Sequence, residues 1–281
     1  MNFKNKNVLI TGSSRGLGAE LARQIADKGG LVILSSEERT KDELHENTKQ
    51  IQENGGEADC FVMDVTDGEM ITNVFEKIKE KYGHIDVLIN NAGILNDKCF
   101  HNGTIDEFDF MCDVNVKGYM RVAQTFMPIL GRVPEDKKDK NGSSKNKEGM
   151  IVCVGSMAGE ICVPLMQYYS ITKAAAQMVA KALREHFIHQ EQKNMKVLEI
   201  NPMQFESNLY SHDELSGKFA KTMKKRGMMP KTEEIAEQII EAAEKEKQEV
   251  FIPTLAKFTE YLFRLFPKLT TKLVRKQLSV E

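Results

Sequence analysis

Residues 8–18 read VLITGSSRGLG, and this stretch decides the fold. An apolar, β-branched run ends at Thr11-Gly12, and Gly16 and Gly18 then open a segment, AELARQIADKG, made largely of good helix formers. Glycine in such a turn lets a phosphate group lie against bare backbone, and the helix that follows offers unpaired N–H groups and the positive end of its dipole. The order strand, glycine turn, helix therefore predicts a dinucleotide site, whereas a glycine-rich turn outside this context is more often structural.

The same alternation continues along the chain of 281 residues. Short, nearly continuous apolar runs alternate with longer segments of helical period. This pattern predicts an α/β fold, with a doubly wound sheet of seven parallel strands and helices on both faces. The predicted strands span 8–11, 31–35, 58–64, 86–90, 150–155, 196–201 and 249–252. The predicted helices span 16–28, 41–53, 69–82, 105–130, 167–190 and 232–245.

Two segments depart from the alternation. Residues 132–148 (RVPEDKKDKNGSSKNKE) are polar and charged, so we interpret them as a surface insertion in a single domain that spans 1–253. Residues 254–281 form a C-terminal extension that combines an apolar stripe with basic residues. Such an amphipathic segment either lies on a membrane surface as a peripheral contact or packs on the body or on a sister subunit, and both interpretations stay open.

Charge and cysteine content narrow the class of protein. The 39 basic residues are balanced by 41 acidic ones, and because nucleic-acid binders carry a basic excess, no nucleic-acid partner is predicted. The first residues lack the apolar core and cleavage site of a signal peptide, and no stretch approaches the roughly 18 apolar residues of a membrane span. The five cysteines contain no CxxC pair. We therefore expect an intracellular, cytoplasmic protein.

A tyrosine and a lysine four residues apart carry the main chemical signal. In the predicted helix 167–190, Tyr169 and Lys173 share a face, so the ammonium group can approach the phenol. A nearby cation favours the phenolate, so Lys173 is expected to lower the pKa of Tyr169 from its ordinary value near ~10. Ser156, after the fifth predicted strand, adds a hydrogen-bond donor. A carbonyl that accepts hydride needs both a proton donor and a second donor of this kind.

The TGxxxGxG spacing of the turn, together with Ser156, Tyr169 and Lys173, resembles the short-chain dehydrogenase/reductase family over about residues 5–252. The resemblance implies a Rossmann-type fold and an oxidoreductase that interconverts a carbonyl and a secondary alcohol with a nicotinamide cofactor. It also implies that Tyr169 moves the proton, that Lys173 binds the nicotinamide ribose, and that Asn115 holds a water linking the lysine to solvent. A non-catalytic cofactor-binding regulator is the alternative from another class, and an isomerase or dehydratase can share the fold.

The resemblance further implies which residues contact the cofactor. Asp64-Val65, closing the third strand, matches the family's contact to the adenine ring, although Asp64 alone fits a helix N-cap equally well. Residues 90–93 (NNAG) match the motif that supports the sheet on the adenosine side. The predicted cofactor-binding residues are Thr11, Gly12, Ser14, Arg15, Gly16, Leu17, Gly18, Ser36, Asp64, Val65, Asn91, Ala92, Gly93, Tyr169, Lys173, Pro202 and Ser207.

The residues after the second strand bear on the choice of cofactor. An NAD-selective enzyme usually places a carboxylate there for the ribose 2′-hydroxyl, whereas a 2′-phosphate needs cations. The matching position is Ser36, and Arg15 resembles the basic residue of NADP-preferring members, while Glu37 stands where many of those members have arginine. NADP(H) is therefore favoured, with NAD(H) as the alternative.

Two departures from the family concern the substrate side. Met203 follows Pro202 where the family commonly has glycine, which puts the local backbone in question. Residues 208–229 are expected to form a lid whose apolar content predicts a hydrophobic substrate such as a steroid, a retinoid or a lipid-derived carbonyl, as in the hydroxysteroid dehydrogenase branch. Further apolar residues expected to line this pocket are Met157, Ile161, Val163 and Leu165.

The sequence also bears on oligomeric state and on metal binding. The resemblance implies a homodimer or homotetramer that associates through the helices holding Asn115 and Tyr169. His186 and His189 lie three residues apart, but they lack an HExxH pattern or a third ligand, so no metal site is predicted.

Overall fold

Seven parallel strands form one sheet in the computed structural model, which describes residues 1–96, 98–131, 148–164, 166–203, 205, 229–270 and 272. In chain order the strands are β1 (Asn7–Thr11), β2 (Leu31–Ser36), β3 (Glu57–Val62), β4 (Val87–Asn90), β5 (Gly149–Val154), β6 (Met195–Pro202) and β7 (Glu249–Ile252). Their order across the sheet is β3-β2-β1-β4-β5-β6-β7. This is the order of a Rossmann-type doubly wound sheet, so the predicted fold class is confirmed.

Two of the helices on the amino-terminal side of the chain begin at side-chain caps. Asp67 caps the third helix by accepting a hydrogen bond from the N–H of Met70, and Thr104 and Glu107 form a capping box at the fourth. The helices are α1 (Gly16–Asp27), α2 (Lys41–Glu53), α3 (Gly68–Tyr82), α4 (Ile105–Cys112), α5 (Tyr119–Phe126), α6 (Met157–Glu160), α7 (Gln167–His189), α8 (Thr232–Glu244) and α9 (Leu255–Leu265).

Helices cover both faces of the sheet, as predicted. Successive residues of a strand point to opposite faces, so each strand contributes to two cores. In β1, Val8 and Ile10 belong to a core that α1, α2 and α8 cover, whereas Leu9 belongs to the core under α3, α5 and α7. The edge of the sheet at the carboxyl ends of the strands is thereby left for a ligand.

The helix predicted over 105–130 is interrupted in the structure. A π-helical segment, Asp113–Gly118, separates α4 from α5, and a 3₁₀ turn, Met127–Ile129, follows α5. π-helical turns inside helices are rare and frequently lie at functional sites. Asn115 lies in this segment, so the interruption affects the position of a predicted site residue.

The C-terminal extension begins with α9, which packs Ala256 against Met157 and Phe251. On the side of α9 away from this contact, Phe258 and Leu265 are exposed. Within the described ranges, no helix has the length and apolar character needed to cross a membrane. The predicted insertion at 132–148 lies outside the described residues except for Glu148, and the division into a domain and an extension stays a prediction.

Candidate active site

The glycine turn between β1 and α1 leaves open space beside bare backbone. Gly16 has a φ of +58°, and no atom lies within 4 Å of the place that a Cβ would occupy. Gly12, at φ +64°, packs so closely on Ala92 that its Cβ would lie 2.7 Å from the Ala92 Cα. A Cβ on Gly18 would lie 2.3 Å from the Gly12 carbonyl oxygen. Gly12 and Gly18 thus permit close packing of the loop, and Gly16 keeps its outer side free for a ligand.

Thr11 joins this turn to the end of β4. Its Oγ1 accepts hydrogen bonds from the N–H groups of Asn91 and Ala92, both at 3.0 Å. The side-chain amide of Asn91 donates to the carbonyl oxygens of Thr11 at 2.9 Å and of Gly12 at 3.0 Å. These bonds hold the ends of β1 and β4 together at the point where the strand order reverses, which is where such sheets bind ligands.

A cleft of about 630 Å³, called here the main cleft, opens at the carboxyl ends of the strands. The glycine turn and the pair formed by Tyr169 and Lys173 line the same cleft, although these segments are far apart in the chain. The predicted site residues that line it are Gly12, Ser14, Arg15, Gly16, Leu17, Ser36, Asp64, Val65, Asn91, Ala92, Gly93, Ser156, Tyr169, Lys173 and Pro202.

Three of the other predicted residues, all within the described ranges, do not line the main cleft. Thr11 and Gly18 lie behind its lining, where they shape the loop, and Asn115 is fully buried. Ser207 lies outside the described residues.

Asp64 lies two residues beyond β3, which ends at Val62, so the prediction that it closes the strand is wrong. Its Oδ1 accepts hydrogen bonds from the N–H and the Oγ1 of Thr66, both at 2.8 Å, and these bonds turn the chain after the strand. The N-cap of α3 is Asp67, so the N-cap interpretation of Asp64 is also wrong. The carboxylate of Asp64 lines the main cleft instead.

Ser156 and Tyr169 both line the main cleft, and the Ser156 side chain lies close enough to the phenol to affect its pKa. Ser156 is the N-cap of α6, where its Oγ accepts from the N–H of Ala158 at 3.1 Å, so its hydroxyl proton remains to be donated. Burial raises the pKa of Tyr169 to about 12, and the nearby Ser156 hydroxyl opposes this rise. The phenol is therefore protonated at neutral pH, which is the state that can donate a proton.

Lys173 is directed at a backbone carbonyl. Its Nζ donates to the Val154 oxygen at 3.0 Å and lies 5.8 Å from the centre of the Tyr169 ring. Burial lowers the pKa of Lys173 itself to about 8. The prediction that Lys173 lowers the pKa of Tyr169 is wrong for this arrangement, because the ammonium is bound to Val154 and the burial of the phenol dominates.

Asn115 ties the π-helical segment to two other parts of the site. Its Oδ1 accepts from the N–H of Ile94 at 2.8 Å, and its Nδ2 donates to the Ile94 carbonyl at 2.9 Å and to Thr172 Oγ1 at 3.0 Å. The Asn115 side chain thus makes the two backbone hydrogen bonds to Ile94 that a neighbouring strand would make, and it also contacts α7. The water-holding role implied by the family resemblance stays a prediction.

Tyr119 supports the site but was not identified from the sequence. Its hydroxyl donates to the Val154 carbonyl at 2.7 Å, the oxygen that Lys173 also contacts, and the Lys173 Nζ lies 5.6 Å from the centre of its ring. A sequence signal was present, because Tyr119 follows Asn115 by four residues.

Gln177 supports Ser156 from behind and was also missed. Its side-chain amide donates to the Ser156 carbonyl and to Asn201 Oδ1, both at 2.8 Å. Gln177 is buried and follows Lys173 by one helical turn, so the face of α7 that carries Tyr169 and Lys173 continues to it.

The part of the main cleft beside β2 contains two arginines and the carboxylates of Glu37 and Glu38, and Glu38 pairs with Lys41. Ser36 is small and buried at the end of β2. The Nε and Nη2 atoms of Arg39 donate to Glu37 Oε2 at 2.9 and 2.8 Å. Arg15 also lines the cleft, and no carboxylate of the described chain is paired with it. The carboxylate of Glu37, which stands where many NADP-preferring members have arginine, is therefore already bound by a cation.

An apolar wall lies in the main cleft together with the serine and tyrosine. Met203 belongs to it, and its N–H donates to the Ile252 carbonyl at 2.7 Å, so the residue that replaces the family's glycine prolongs the pairing of β6 with β7. The apolar residues of the wall are Ile94, Leu95, Phe110, Val114, Met203 and Phe205.

The pocket residues predicted around α6 lie elsewhere. Met157 and Ile161 pack with Phe251 in a separate core, and Val163 packs behind the main cleft on the core that contains Tyr168 and Tyr169. They were predicted to line the pocket because they follow Ser156, but the turn of α6 directs them inward. Leu165 and all of the predicted lid except Met229 lie outside the described residues.

A doubly wound sheet with a phosphate-binding turn and a serine beside a buried tyrosine in one cleft defines a dinucleotide-dependent oxidoreductase. The family model described as short chain dehydrogenase matches residues 6–216. The chain is 30% identical over 253 residues to the 3-oxoacyl-[acyl-carrier-protein] reductase FabG of Thermotoga maritima, with 89% of this chain and 95% of that protein covered. The chain therefore belongs to the short-chain dehydrogenase/reductase family.

Two further similarities extend over nearly the whole chain. The epidermal retinol dehydrogenase 2 of Homo sapiens is 27% identical over 282 residues, which cover 99% of this chain and 84% of that protein. The solved structure of a short chain dehydrogenase/reductase from Burkholderia phymatum in complex with NAD has a TM-score of 0.81 and 18% identity, with 96% of each chain covered. This second similarity concerns the fold.

The residues present fit a nicotinamide cofactor. The open backbone at Gly16 suits a diphosphate, and Asp64 and Asn91 line the cleft on the same side of the sheet as the serine–tyrosine pair. As a member of its family, the protein is an oxidoreductase that acts on an alcohol or a carbonyl with such a cofactor.

Proposed function

We propose that this protein is an NADP(H)-dependent reductase that converts a hydrophobic ketone or aldehyde into the alcohol, and that it also catalyses the reverse reaction. The observation that carries the proposal is that Ser156 and Tyr169 lie together in the cleft that holds the glycine turn. Because burial keeps the Tyr169 phenol protonated, with a pKa of about 12, the resting site is prepared for the reductive direction.

The proposed mechanism assigns one task to each residue. A bound nicotinamide supplies the hydride. Tyr169 gives its phenolic proton to the carbonyl oxygen on which negative charge develops, and Ser156 Oγ donates a second hydrogen bond to the same oxygen. Lys173, held by the Val154 carbonyl, binds the ribose and returns a proton to Tyr169.

Replacing Tyr169 tests this mechanism directly. Tyr169→Phe should lower kcat for carbonyl reduction at least about 100-fold, because general acid catalysis contributes at least this much, while binding of the reduced cofactor persists. Tyr168→Phe is the matched control, since Tyr168 is a buried neighbour whose ring packs on Phe100 and Phe108. If Tyr169→Phe reduces an accepted ketone as fast as the parent does, the mechanism fails. If the parent binds the cofactor but turns over no carbonyl or alcohol, the protein is a cofactor-binding regulator instead.

The preference for NADP(H) is supported by the charges beside β2. Ser36 leaves room for a 2′-phosphate, Arg15 has no paired carboxylate among the described residues, and Arg39 occupies the carboxylate of Glu37. Arginine binds phosphate with charge-assisted, bidentate hydrogen bonds. The two guanidinium groups are therefore proposed to hold the 2′-phosphate.

Kinetics with both cofactors test this preference. Arg15→Ala combined with Arg39→Ala should lower kcat/KM for NADPH about 10- to 100-fold, the worth of one charged hydrogen bond or more, and should change the value for NADH less than about threefold. Arg23→Ala, on the exposed side of α1, should leave both values unchanged. An equal loss with both cofactors would refute the phosphate site.

NAD(H) is the second candidate cofactor, and one observation favours it. Glu37 lines the main cleft, and its carboxylate could accept from a ribose 2′-hydroxyl if Arg39 turned away. The neighbour from Burkholderia phymatum has NAD bound. In that case the double arginine variant would use NADH better than the parent does, because Glu37 is released.

The hydrophobic character of the substrate is supported by the apolar wall. Phe110 is about half exposed within the main cleft, so it can still bury surface against a ligand. A series of straight-chain ketones should gain about fourfold in kcat/KM for each methylene buried. Phe110→Ala should flatten this series, Phe258→Ala on α9 should not, and equal turnover of hydrophilic sugars by the parent would contradict the proposal.

We also propose a homodimer or homotetramer, formed through the α5 and α7 helices. Met120 on α5 and Ile171 and Met178 on α7 are exposed apolar side chains, and an interface would cover them. Light scattering after size exclusion should give a multiple of the 31.8 kDa chain mass, and Met178→Glu should shift it to the monomer.

A further inference from the structure

We propose that Glu160, Glu199 and Glu249 bind a calcium ion behind the catalytic serine. One carboxylate oxygen from each residue lies within 4.8 Å of those of the other two. Calcium–oxygen distances of about 2.3–2.6 Å let two ligand oxygens lie up to about 5 Å apart, so one ion can contact all three. These residues, called here the carboxylate cluster, take no part in the proposed reductase mechanism, and the inference does not depend on it.

The strand register forces two of the carboxylates together. Glu199 of β6 pairs directly with Glu249 of β7, so both side chains project from the same face of the sheet. Glu160, the last residue of α6, closes over them. Like charges placed opposite each other on neighbouring strands are destabilising, so the pairing favours a positive charge between them, which a cation or a proton can supply.

Glu199 supplies the observation that points to a ligand. Its side chain is fully buried, and its Oε2 has no hydrogen-bond partner among the residues that the structure describes. Its Oε1 accepts from Asn201 Nδ2 at 3.0 Å. A buried carboxylate oxygen without a partner is costly, and a hard divalent cation is the partner that such oxygens prefer.

Protein cations reach the other carboxylates but do not contact Glu199. Arg264 Nη2 lies 3.1 Å from Glu160 Oε2 and 2.7 Å from the neighbouring Glu260, and Lys257 Nζ lies 3.5 Å from Glu249 Oε2. Lys181 attracts Glu199 through space. Arg264 and Lys257 are both on α9, so they enter the cluster from its outer side and leave Glu199 to the ion.

The position of the cluster connects it with the active site. The Asn201 side chain donates to Glu199 through Nδ2 and accepts from Gln177 through Oδ1. Gln177 also donates to the Ser156 carbonyl. Glu160 ends the short helix that Ser156 begins. The ion would therefore fix both ends of α6, and Glu249, which is partly exposed, provides the path by which it enters.

Thermal unfolding and calorimetry with calcium alone test the proposal. After treatment with a chelator, the full chain should gain about 5 °C in Tm when CaCl₂ exceeds its Kd about 100-fold, relative to NaCl of equal ionic strength. Isothermal titration calorimetry should give one site per chain. Magnesium should shift Tm less, because it demands shorter bonds and a stricter geometry.

Isosteric variants assign the site. Glu199→Gln and Glu249→Gln should each lose the calcium-dependent shift in Tm. Because Glu249 is partly exposed, Glu249→Gln still tests the site if the buried Glu199→Gln substitution impairs folding. Glu241→Gln, on the exposed side of α8, should keep the shift. Lys257→Gln combined with Arg264→Gln should bind calcium more tightly, because it removes competing positive charge.

Three outcomes would overturn the proposal. The first is a Tm of the parent that does not respond to calcium beyond the effect of ionic strength. The second is a shift that survives in Glu249→Gln, which would place the ion elsewhere. The third is an unchanged calcium affinity in the Lys257→Gln, Arg264→Gln chain, which would mean that the ion does not share the cluster with these cations.

Discussion

Lys173 is buried, and burial disfavours the charged form of its amine. Burial lowers its pKa from the ordinary value of 10.5 to about 8, so the unfolded chain binds a proton more readily than the folded one between these two values. Stability therefore rises with pH in this window, and below about pH 8 the full cost of the buried charge is present. The difference between the two pKa values corresponds to about 3 kcal/mol. The lysine is retained because the site uses it.

Lys173→Met is expected to stabilise the cofactor-free protein at pH 7 by on the order of 2 kcal/mol, because the lost hydrogen bond to Val154 offsets part of the gain. Val154 keeps its bond from the Tyr119 hydroxyl. Urea unfolding at pH 7 and pH 10 measures the effect, and the gain should shrink at the higher pH, where the unfolded lysine also begins to lose its proton.

The control for this prediction is Lys49→Met on the exposed face of α2, which should change the free energy of unfolding little at either pH. A Lys173→Met protein less stable than the parent at pH 7 would show that the buried amine contributes more through its contacts than its charge costs. Reductase activity should fall in any case.

At the scale of elements, the π-helical segment depends on one side chain. Asn115 is the hydrogen-bond partner of both the N–H and the carbonyl of Ile94, so it joins the segment to the loop after β4. Without it, two backbone groups of a partly buried loop lose their partner. Each such loss costs about 1–3 kcal/mol where water does not replace the bond.

Asn115→Ala should therefore lower the free energy of unfolding by about 3 kcal/mol and reduce kcat at temperatures where the variant is still folded. Chemical denaturation and single-temperature kinetics, run together, separate the two effects. Asn54→Ala, at the exposed end of α2, is the control for loss of an asparagine side chain. An unfolding midpoint equal to that of the parent would contradict the role given to Asn115.

At the scale of the whole molecule, α9 presents an unusual surface. Ala256 packs on the domain, whereas Phe258, Leu265 and Leu269 are exposed. One face of the C-terminal extension is therefore buried against the domain, and another face is exposed. Lys268 lies on the same segment. We propose that this face lies on a membrane surface with anionic lipid, since apolar side chains and lysines together suit such a surface.

Cosedimentation with vesicles tests the proposal for α9. The chain should bind vesicles that contain phosphatidylglycerol and bind pure phosphatidylcholine more weakly, and Phe258→Asp combined with Leu265→Asp should release it. Point substitutions are preferable to truncation at residue 254, because removing α9 would uncover Met157 and Phe251. Equal binding by the double variant would refute the proposal, and a concentration-dependent mass change that this variant abolishes would identify a second copy as the occupant.

Much of the architecture could be predicted from the sequence because it depends on local periodicity. The strands follow from nearly continuous apolar runs, the helices and the shared face of Tyr169 and Lys173 follow from a period of about 3.6 residues, and the turn follows from the glycines within residues 8–18. These patterns are properties of neighbouring residues and need no knowledge of the rest of the chain. They placed the parallel sheet and brought most of the predicted residues to one cleft.

Other features were decided by the tertiary structure. The break at Asp113–Gly118, the direction of Met157 into a core and the meeting of Glu160 with Glu199 join residues that no short pattern connects. The high pKa of Tyr169 has the same origin, since it reflects burial by surrounding elements rather than the lysine one turn away. Local geometry follows from covalent neighbours, whereas desolvation and pairing between distant segments exist only once the chain is folded.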